Sequence, residues 1–314
     1  MNLRDLNYFV AVADTRHFGH AAERCFVSQP TLSGQIKKLE EELGVTLFER
    51  TNKSVTLTPA GECLLDRARR VMGEAEALKE QARSLRDPLA GPLRVGMLPT
   101  LSPYLIPLIL APLREAAPLL RLILTEEVTD QLIRRLQQHE IDAALVATPV
   151  EDAGFVCQPL FDEPFWLAHP RDSDLYTHEG PFSHEELDAL NILLLADGHC
   201  LATQVMEVCR LAERRQAGEM ADLRAASLET LLQLVGAGAG CTLIPALALR
   251  GNWMSDSGVV VQPLEMPDAY RTIRLVYRES FPRTAALQVL MQVIESNLPN
   301  TVKTHSLTTA VLRG

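Results

Sequence analysis

Two cysteines, Cys200 and Cys209, suggest chemistry most directly, because a pair of thiols can be oxidised to a disulfide. From Cys200 onward, apolar residues recur at helical spacing and no Pro or Gly interrupts the run, which predicts a helix. Nine residues of helix separate two Cα atoms by about 13.5 Å, whereas a disulfide requires Cα atoms closer than about 7 Å. Oxidation would therefore require the helix to unwind, which is typical of a redox sensor rather than of a structural disulfide.

The cysteines also admit a simpler interpretation. Free cysteines are often small apolar core residues, and Cys200 and Cys209 could be two of these. We expect the remaining four thiols to be inert, because they lie in apolar patterns without activating neighbours: Cys25, Cys63, Cys157 and Cys241. No spacing of Cys and His resembles a zinc site, so we expect neither a metal nor another cofactor.

The elements that would position the thiols lie after residue 89, where short apolar strands alternate with helices. The predicted strands are 93–97, 121–126, 143–147, 165–169, 191–195, 241–244, 258–261 and 272–277. The clearest predicted helices are 105–116, 130–139, 227–235 and 284–297. This alternation predicts an α/β region of two doubly wound units with a ligand crevice.

The first 58 residues show a different pattern, with three helices followed by a short hairpin. In the third helix, Ser28 can cap the start, Pro30 fits the first turn and Gly44 can end it. The pattern is typical of a winged helix-turn-helix, whose recognition helix enters the major groove, although a small helical domain with a solvated polar face would look similar. The residues expected to contact DNA are Gln29, Pro30, Thr31, Ser33, Gln35, Lys37, Lys38, Arg50 and Lys53.

These polar residues divide by chemistry. Ser33 and Gln35 can hydrogen-bond base edges, while the Lys and Arg side chains suit phosphates, which position the protein without specifying sequence. Residues 1–58 have no net charge, and the whole formal charge of −10 lies after residue 88. A neutral unit can still bind DNA if its basic residues share one face.

A long helix is predicted from Pro59 to Arg86, where small and apolar residues recur at close to the coiled-coil spacing. We expect the same helix of a second subunit to cover this stripe. The Pro- and Gly-containing run 87–92 then forms a linker. At the other end of the chain, residues 301–314 lack a periodic apolar face and are expected to be mobile.

Residue by residue, the N-terminal region resembles the LysR-type transcriptional regulators. The matching strings are 9–13, 20–24, 27–33, 35–40, 43–50 and 57–61, with Gly34 departing from the Arg common in that family. The resemblance implies a winged helix-turn-helix domain (1–58), a dimerising linker helix (59–88), a regulatory region (89–300) and usually a tetramer. It also implies two Rossmann-like subdomains in a periplasmic-binding-protein-like arrangement, subdomain I about 91–162 plus 268–300 and subdomain II about 163–267.

Within that family, the motif Gly198-His199-Cys200 with Cys209 nine residues later is similar to the peroxide-sensing regulators, as are 25–36, 226–231 and 271–277. This resemblance implies that Cys200 reacts with peroxide, that Cys209 resolves the product, and that a pocket is lined by Thr100, Thr129, His199 and Arg271. A helix start and a nearby Arg271 would favour the thiolate of Cys200. Ala202 and Thr203 depart from the charged residues often found there, which puts the oxidation rate in question.

The sequence therefore predicts a transcription regulator rather than an enzyme. Its expected partners are promoter DNA, hydrogen peroxide, further copies of itself as a dimer of dimers, and RNA polymerase. We expect a cytoplasmic protein, because no secretory signal or membrane span is visible. The alternatives are a LysR-type regulator that binds a small inducer in its cleft, a peroxidase with turnover, and a solute-binding protein, which the lack of a signal sequence disfavours.

Overall fold

Two units make up the chain, residues 1–87 with 135–140 and residues 88–134 with 141–314. The structure is a computed structural model and describes residues 1–50, 55–84, 87–173, 175, 180, 182–211, 224–250, 258–264 and 266–305. None of the helices in these ranges is both long and apolar enough to cross a membrane. The two units are described in turn.

The first unit has the predicted order of three helices, a hairpin and a long helix. Its elements are α1 (Leu3–Thr15), α2 (Phe18–Arg24), α3 (Gln29–Leu43), β1 (Phe48–Arg50), β2 (Val55–Leu57) and α4 (Pro59–Ser84). The two strands pair antiparallel, with Phe48 opposite Leu57 and Arg50 opposite Val55. This hairpin is the predicted wing, so the winged helix-turn-helix fold is confirmed.

Local hydrogen bonds fix the ends of these helices. Asn2 and Asp5 form a capping box at α1, and the Ser28 hydroxyl accepts the backbone N–H of Thr31 at α3. Gly44 ends α3 in the left-handed region at φ 70°, which glycine adopts at little cost. The predicted cap, first-turn proline and terminating glycine of α3 are thus confirmed.

The connection between α2 and α3 is a Schellman turn with an unusual residue in it. Phe26 has φ 55°; its N–H bonds to the carbonyl of Glu23, and the Val27 N–H bonds to the carbonyl of Ala22. Glycine or asparagine normally occupies this position, because left-handed backbone costs other L-residues roughly 1–2 kcal/mol. The Phe26 side chain is 96% exposed, so packing does not offset the strain.

An aromatic core joins the wing to the helices. The Phe48 ring meets Phe9 edge-on with centroids 5.6 Å apart, and Phe18 at 6.0 Å. The Glu40 carboxylate accepts the backbone N–H of Leu47 at 2.8 Å and of Phe48 at 3.2 Å. These contacts orient β1 against α3 and pack the wing beside this helix.

The apolar stripe of α4 is partly covered within its own chain, which differs from the expectation. The same helix of a second subunit was predicted to cover the stripe, but Leu64 and Ala68 pack on the core of the first unit. Beyond this contact the stripe is open, since Val71 is 47% exposed and Leu78 is 69% exposed. The exposed large apolar side chains of the stripe therefore lie from the middle of α4 toward its C-terminal end.

The second unit combines parallel and antiparallel strands with helices. Its strands are β3 (Gly91–Met97), β4 (Leu120–Glu126), β5 (Ala143–Val146), β6 (Phe155–Pro170), β7 (Leu194–Leu195), β8 (Arg224–Ala225), β9 (Thr242–Pro245), β10 (Val259–Pro263), β11 (Tyr270–Arg278) and β12 (Lys303–Thr304). Its helices are α5 (Ser102–Ala116), α6 (Thr129–Gln137, which ends in the first unit), α7 (His184–Ala189), α8 (Cys200–Val208), α9 (Leu228–Gly236) and α10 (Thr284–Asn297), with a 3-10 helix at Ala246–Arg250.

Strand β6 joins the two halves of this unit. Its first half pairs with β11, which continues through β5 and β3 to the edge strand β4. Its second half pairs with β9 and β10, as in the register of Phe165 opposite Pro245. The predicted strand 165–169 is therefore only part of a 16-residue strand, and the α/β architecture of two linked subdomains is confirmed.

Part of the C-terminal segment that was expected to be mobile is paired with the sheet. Lys303 and Thr304 form β12 and pair with Asp162 and Phe161 of β6. Next to them, His305 donates its backbone N–H to the carbonyl of Leu160 at 2.8 Å. Backbone pairing thus anchors residues 303–305, and residues 306–314 lie outside the described ranges.

Candidate functional site

Helix α8 carries both candidate redox thiols, as the spacing predicted. Cys200 is the first residue of the helix and Cys209 is its C-terminal cap. Gly198, at φ 97°, turns the chain into the helix in a conformation that favours glycine, and His199 is the N-cap without a side-chain cap hydrogen bond. All six cysteines are unpaired, so the two thiols remain at opposite ends of an intact helix.

Packing rather than length holds α8 in place. A nine-residue helix is marginal by itself in water, but its buried face is formed by Leu201, Ala202, Val205 and Val208. Gln204 adds one polar anchor, because its Nε2 donates to the carbonyl of Ala147 at 2.9 Å. His184 adds a second anchor, since its Nδ1 lies 2.9 Å from the carbonyl of Val208, so buried side chains and hydrogen bonds to neighbouring segments together hold the helix.

A buried ion pair lies beside the start of α8. The Arg271 Nε donates to Glu163 Oε2 at 2.8 Å, and both side chains are completely inaccessible to solvent. The guanidinium also donates to Thr100 Oγ1 at 2.9 Å and to the Thr100 carbonyl at 3.0 Å. The second Glu163 oxygen accepts the backbone N–H of Leu247 at 2.8 Å, so the network joins strands β6 and β11 to the loop after β3.

The sheet topology explains why these residues meet. Thr100 follows the C-terminal end of β3, and Thr129 follows the C-terminal end of the adjacent parallel strand β4. The C-terminal edge of parallel strands is where open α/β sheets bind ligands. Arg271, from strand β11, reaches the same edge, and His199 lies before α8, so the four predicted pocket residues come from four separate segments.

The electrostatics of Cys200 differ from the expectation of a favoured thiolate. Burial raises the pKa of the Cys200 thiol, while the charge of Arg271, the Thr129 hydroxyl and the backbone N–H groups of Cys200 and Leu201 lower it. Burial is the largest of these effects, so the pKa lies above its ordinary value. The positive charge of Arg271 is also paired with Glu163, which limits its benefit to the thiolate.

The Thr129 hydroxyl lies beside the Cys200 sulfur but forms no well-aligned hydrogen bond to the described residues. It is close enough to Cys200 to lower the thiol pKa, and its oxygen is buried. Buried hydroxyls are normally hydrogen-bonded. The geometry leaves Thr129 available to a small polar molecule next to the sulfur.

Cys209 is inert in this conformation. Its side chain is fully buried, and burial, together with the nearby Asp188 carboxylate, raises its thiol pKa to about 12. Among the remaining cysteines, Cys241 is buried and Cys25 and Cys157 are partly buried. Cys63 differs from the expected apolar setting, because it is exposed on α4.

Seven of the nine candidate DNA-contacting residues lie on α3 and are at least partly exposed to solvent. Gln29, Pro30, Thr31, Lys37 and Lys38 are exposed, and Ser33 and Gln35 are partly exposed. Lys37 lies 3.9 Å from Glu41, a loose pair one turn away that leaves its charge accessible. Arg50 ends strand β1 of the wing, but its side chain and the whole of Lys53 lie outside the described parts of the structure.

Sequence reasoning missed two residues of the redox site, Glu163 and Gln204. Glu163 is an acidic residue inside a strand whose neighbours Phe161 and Phe165 are buried, and such a charge needs a buried partner. That pattern signals an internal ion pair but does not identify Arg271, which is 108 positions away. Gln204 has no sequence signal, since a glutamine one turn into a helix is usually solvated.

Comparison with known families matches nearly the whole chain. Residues 3–62 match the bacterial regulatory helix-turn-helix proteins of the lysR family, and residues 86–299 match the LysR substrate binding domain. The DNA-binding transcriptional dual regulator OxyR of Escherichia coli K12 is 44% identical over 299 residues, which cover 95% of this chain and 96% of that protein. A probable hydrogen peroxide-inducible genes activator of Streptomyces viridosporus is 41% identical, with 92% of each chain covered.

Solved structures of OxyR proteins are also similar to this chain over most of its length. A full-length OxyR from Pseudomonas aeruginosa, with aspartate replacing one cysteine, superposes with a TM-score of 0.79 at 36% identity and covers 98% of this chain and 99% of that one. A peroxide-bound OxyR from Corynebacterium glutamicum, with serine replacing one cysteine, gives a TM-score of 0.62 at 35% identity, with 94% and 92% covered.

Proposed function

Because this chain belongs to the LysR family of bacterial transcriptional regulators, we propose that it regulates transcription in response to hydrogen peroxide. The observation that carries the proposal is the placement of Cys200 at the start of α8, beside Thr129 and Arg271, with Cys209 at the far end of the same helix. The names of its relatives, which are hydrogen peroxide-inducible activators, support the choice of oxidant.

The chemistry begins at the Cys200 sulfur. The thiolate attacks one peroxide oxygen, the O–O bond breaks, and the departing hydroxide takes up a proton to leave as water, which gives a sulfenic acid. The Cys209 thiolate then attacks the sulfenic sulfur, and the hydroxyl leaves as a second water while the disulfide forms. Peroxide is reduced by two electrons and the thiol pair is oxidised by two.

The surrounding residues shape the first step. The Thr129 hydroxyl, which forms no well-aligned hydrogen bond to the described residues, and the Thr100 hydroxyl, held by Arg271, can hydrogen-bond peroxide. Arg271 stabilises the negative charge of the thiolate and of the departing oxygen, although its pairing with Glu163 moderates this effect. His199 is the partly exposed N-cap residue directly before Cys200, so its ring can also lie beside the peroxide.

The second step requires α8 to unwind. The helix holds the two sulfur-bearing residues about 13.5 Å apart, and the raised pKa of Cys209 keeps its thiol protonated near neutral pH. Unwinding removes both obstacles, because it shortens the separation and exposes Cys209 to water. It also displaces Leu201, Val205 and Val208 from the core, and repacking these side chains can change how subunits associate.

The output of the switch is DNA binding by α3. Exposed Gln29, Pro30 and Thr31 stand at the start of the recognition helix, where base contacts are made, and Ser33 and Gln35 follow one turn later. Lys37, Lys38, Arg50 and Lys53 would contact phosphates. We further propose a dimer of dimers that acts in the cytoplasm, binds pseudo-palindromic promoter DNA and contacts RNA polymerase.

Footprinting tests this function and separates it from its rivals. Reduced and peroxide-treated protein are compared on the DNA upstream of the chain's own gene, and a protected region that changes with oxidation is the expected result. Mass spectrometry of the same samples should show the Cys200–Cys209 link. Identical footprints without that link would favour a regulator of the same family that responds to a small inducer.

The exposed half of α4 should hold subunits together. Val71 and Leu78, seven residues apart, are exposed large apolar side chains of its stripe. The substitution Leu78→Glu is expected to lower the assembly state in sedimentation, because it would place a charge in an apolar seam. Lys79→Glu, next to it but off the stripe, is the control and should leave the assembly unchanged, and equal behaviour of the two variants would refute this interface.

Oxidation of Cys200 should accelerate as pH rises. Its raised pKa leaves mostly the unreactive thiol at neutral pH, and below the pKa the thiolate fraction grows about tenfold per pH unit. Trapping of sulfenic acid in the Cys209→Ser variant isolates the first step. A rate that is flat between about pH 6.5 and about pH 8.5 would mean that the pKa is depressed rather than raised.

A further inference from the structure

Phe26 combines two features that folding alone does not explain. Its backbone is left-handed, at φ 55°, a conformation that glycine adopts freely and a bulky side chain does not. Its ring is 96% exposed, the most exposed of the large apolar side chains in the described structure. The position thus carries backbone strain and an apolar side chain in water, with no packing in return.

The turn itself would form with a smaller residue. Both of its hydrogen bonds run through backbone atoms, from the N–H of Phe26 to Glu23 and from the N–H of Val27 to Ala22. The neighbouring Val27 supplies the apolar contact, since it packs against the core of the first unit. A residue that breaks a local rule without a folding gain is expected at a functional site.

The location of Phe26 indicates what it contacts. It lies two residues before Ser28, the N-cap of α3, and the exposed Gln29, Pro30 and Thr31 follow immediately. The N-terminal residues of a recognition helix are those that approach base edges in the major groove. An aromatic ring just before that helix can reach the groove, where the thymine 5-methyl group is the apolar partner that DNA offers.

We propose that Phe26 is a specificity-determining residue that packs its ring on a thymine methyl group at the edge of each half-site. This inference rests on the docking of α3 proposed above. It adds a sequence preference that hydrogen bonds from Ser33 and Gln35 do not supply. It also explains the strain, because the left-handed backbone directs the ring away from the core and toward the groove.

The test uses full-length protein and a duplex selected by the parent chain from a random-sequence pool. Each thymine is replaced in turn by uracil, which removes only the 5-methyl group, and affinity is measured for the parent, Phe26→Gly and Phe26→Asn. For the parent, at least one replacement per half-site should weaken binding about fourfold, the equivalent of one buried methyl group. Neither variant should respond at that position, although both should unfold at a higher temperature than the parent.

The control Val45→Ala trims an exposed apolar side chain just beyond the other end of α3 and should keep the parental profile. Coincident uracil profiles for the parent and the Phe26 variants would overturn the proposal, even if the parent is sequence-selective. A parent that binds all duplexes equally would refute the docking of α3 as well. A change in sedimentation alone, with unchanged profiles, would assign Phe26 to a protein contact and also overturn the proposal.

Discussion

Replacing Cys200 by serine is expected to abolish the response to peroxide while leaving DNA binding by the reduced protein intact. The substitution exchanges one sulfur for oxygen at a partly buried site and should cost about 1 kcal/mol or less of stability, but it removes the thiol that peroxide oxidises to a sulfenic acid. Cys209→Ser should still form the sulfenic acid and should stop there. The measurement is DNA binding before and after peroxide, with thiol oxidation followed by mass spectrometry.

Serine variants of the other thiols are the controls and should respond like the parent: Cys25→Ser, Cys63→Ser, Cys157→Ser and Cys241→Ser. Cys63→Ser is the most important of these controls, because the exposed Cys63 thiol can be oxidised without any change in α8. A Cys200→Ser protein that still changes its DNA binding after peroxide, with the Cys63→Ser substitution added, would contradict the assignment of the sensor.

The second large effect is expected from Glu163→Gln, which leaves the buried Arg271 without its counter-charge. Removing one partner of a buried ion pair typically costs about 3–5 kcal/mol, and here the amide could accept from only one of its two donors, Arg271 Nε or the Leu247 N–H, leaving its NH2 group against the other. Urea unfolding of the reduced protein measures the loss. The same variant should also accelerate Cys200 oxidation, because Glu163 would no longer moderate the effect of the Arg271 charge on the thiolate.

Glu140→Gln is the matched control, because Glu140 pairs with Arg135 at 2.6 Å but both side chains are 38% exposed. Exposed pairs contribute about 0–1 kcal/mol. Equal losses of stability in the two variants would mean that the buried Arg271–Glu163 pair contributes no more to folding than an exposed pair.

Much of the fold was predictable because residues close together in the sequence determine many of its helices and turns. The capped helix α3, the wing and the helix between Cys200 and Val208 follow from turn residues and apolar periodicity within a few neighbouring positions. The length of β6 was not predictable in this way. Its 16 residues pass through both subdomains and cover Pro159 and Pro164, which sequence reasoning treats as strand boundaries.

The residues of the candidate site also divide into those that neighbouring residues identify and those that depend on contacts between distant parts of the chain. Cys200, Cys209 and the helix between them are local and were identified, whereas the Arg271–Glu163 pair joins residues 108 positions apart and required the sheet register. The pKa of Cys200 was misjudged for a related reason. The helix N-terminus and Arg271 are visible as sequence features, but the burial that outweighs them depends on packing from several segments.

The central claim is that disulfide formation unwinds α8, and hydrogen exchange across Cys200–Val208 tests it most directly. Reduced protein should show protected amides in this segment, and protein with a verified Cys200–Cys209 disulfide should lose that protection. Peroxide-treated Cys209→Ser protein, which cannot form the disulfide, should stay protected and so separates the oxidation step from unwinding. Equal protection in the reduced and disulfide-bonded proteins would contradict the refolding switch.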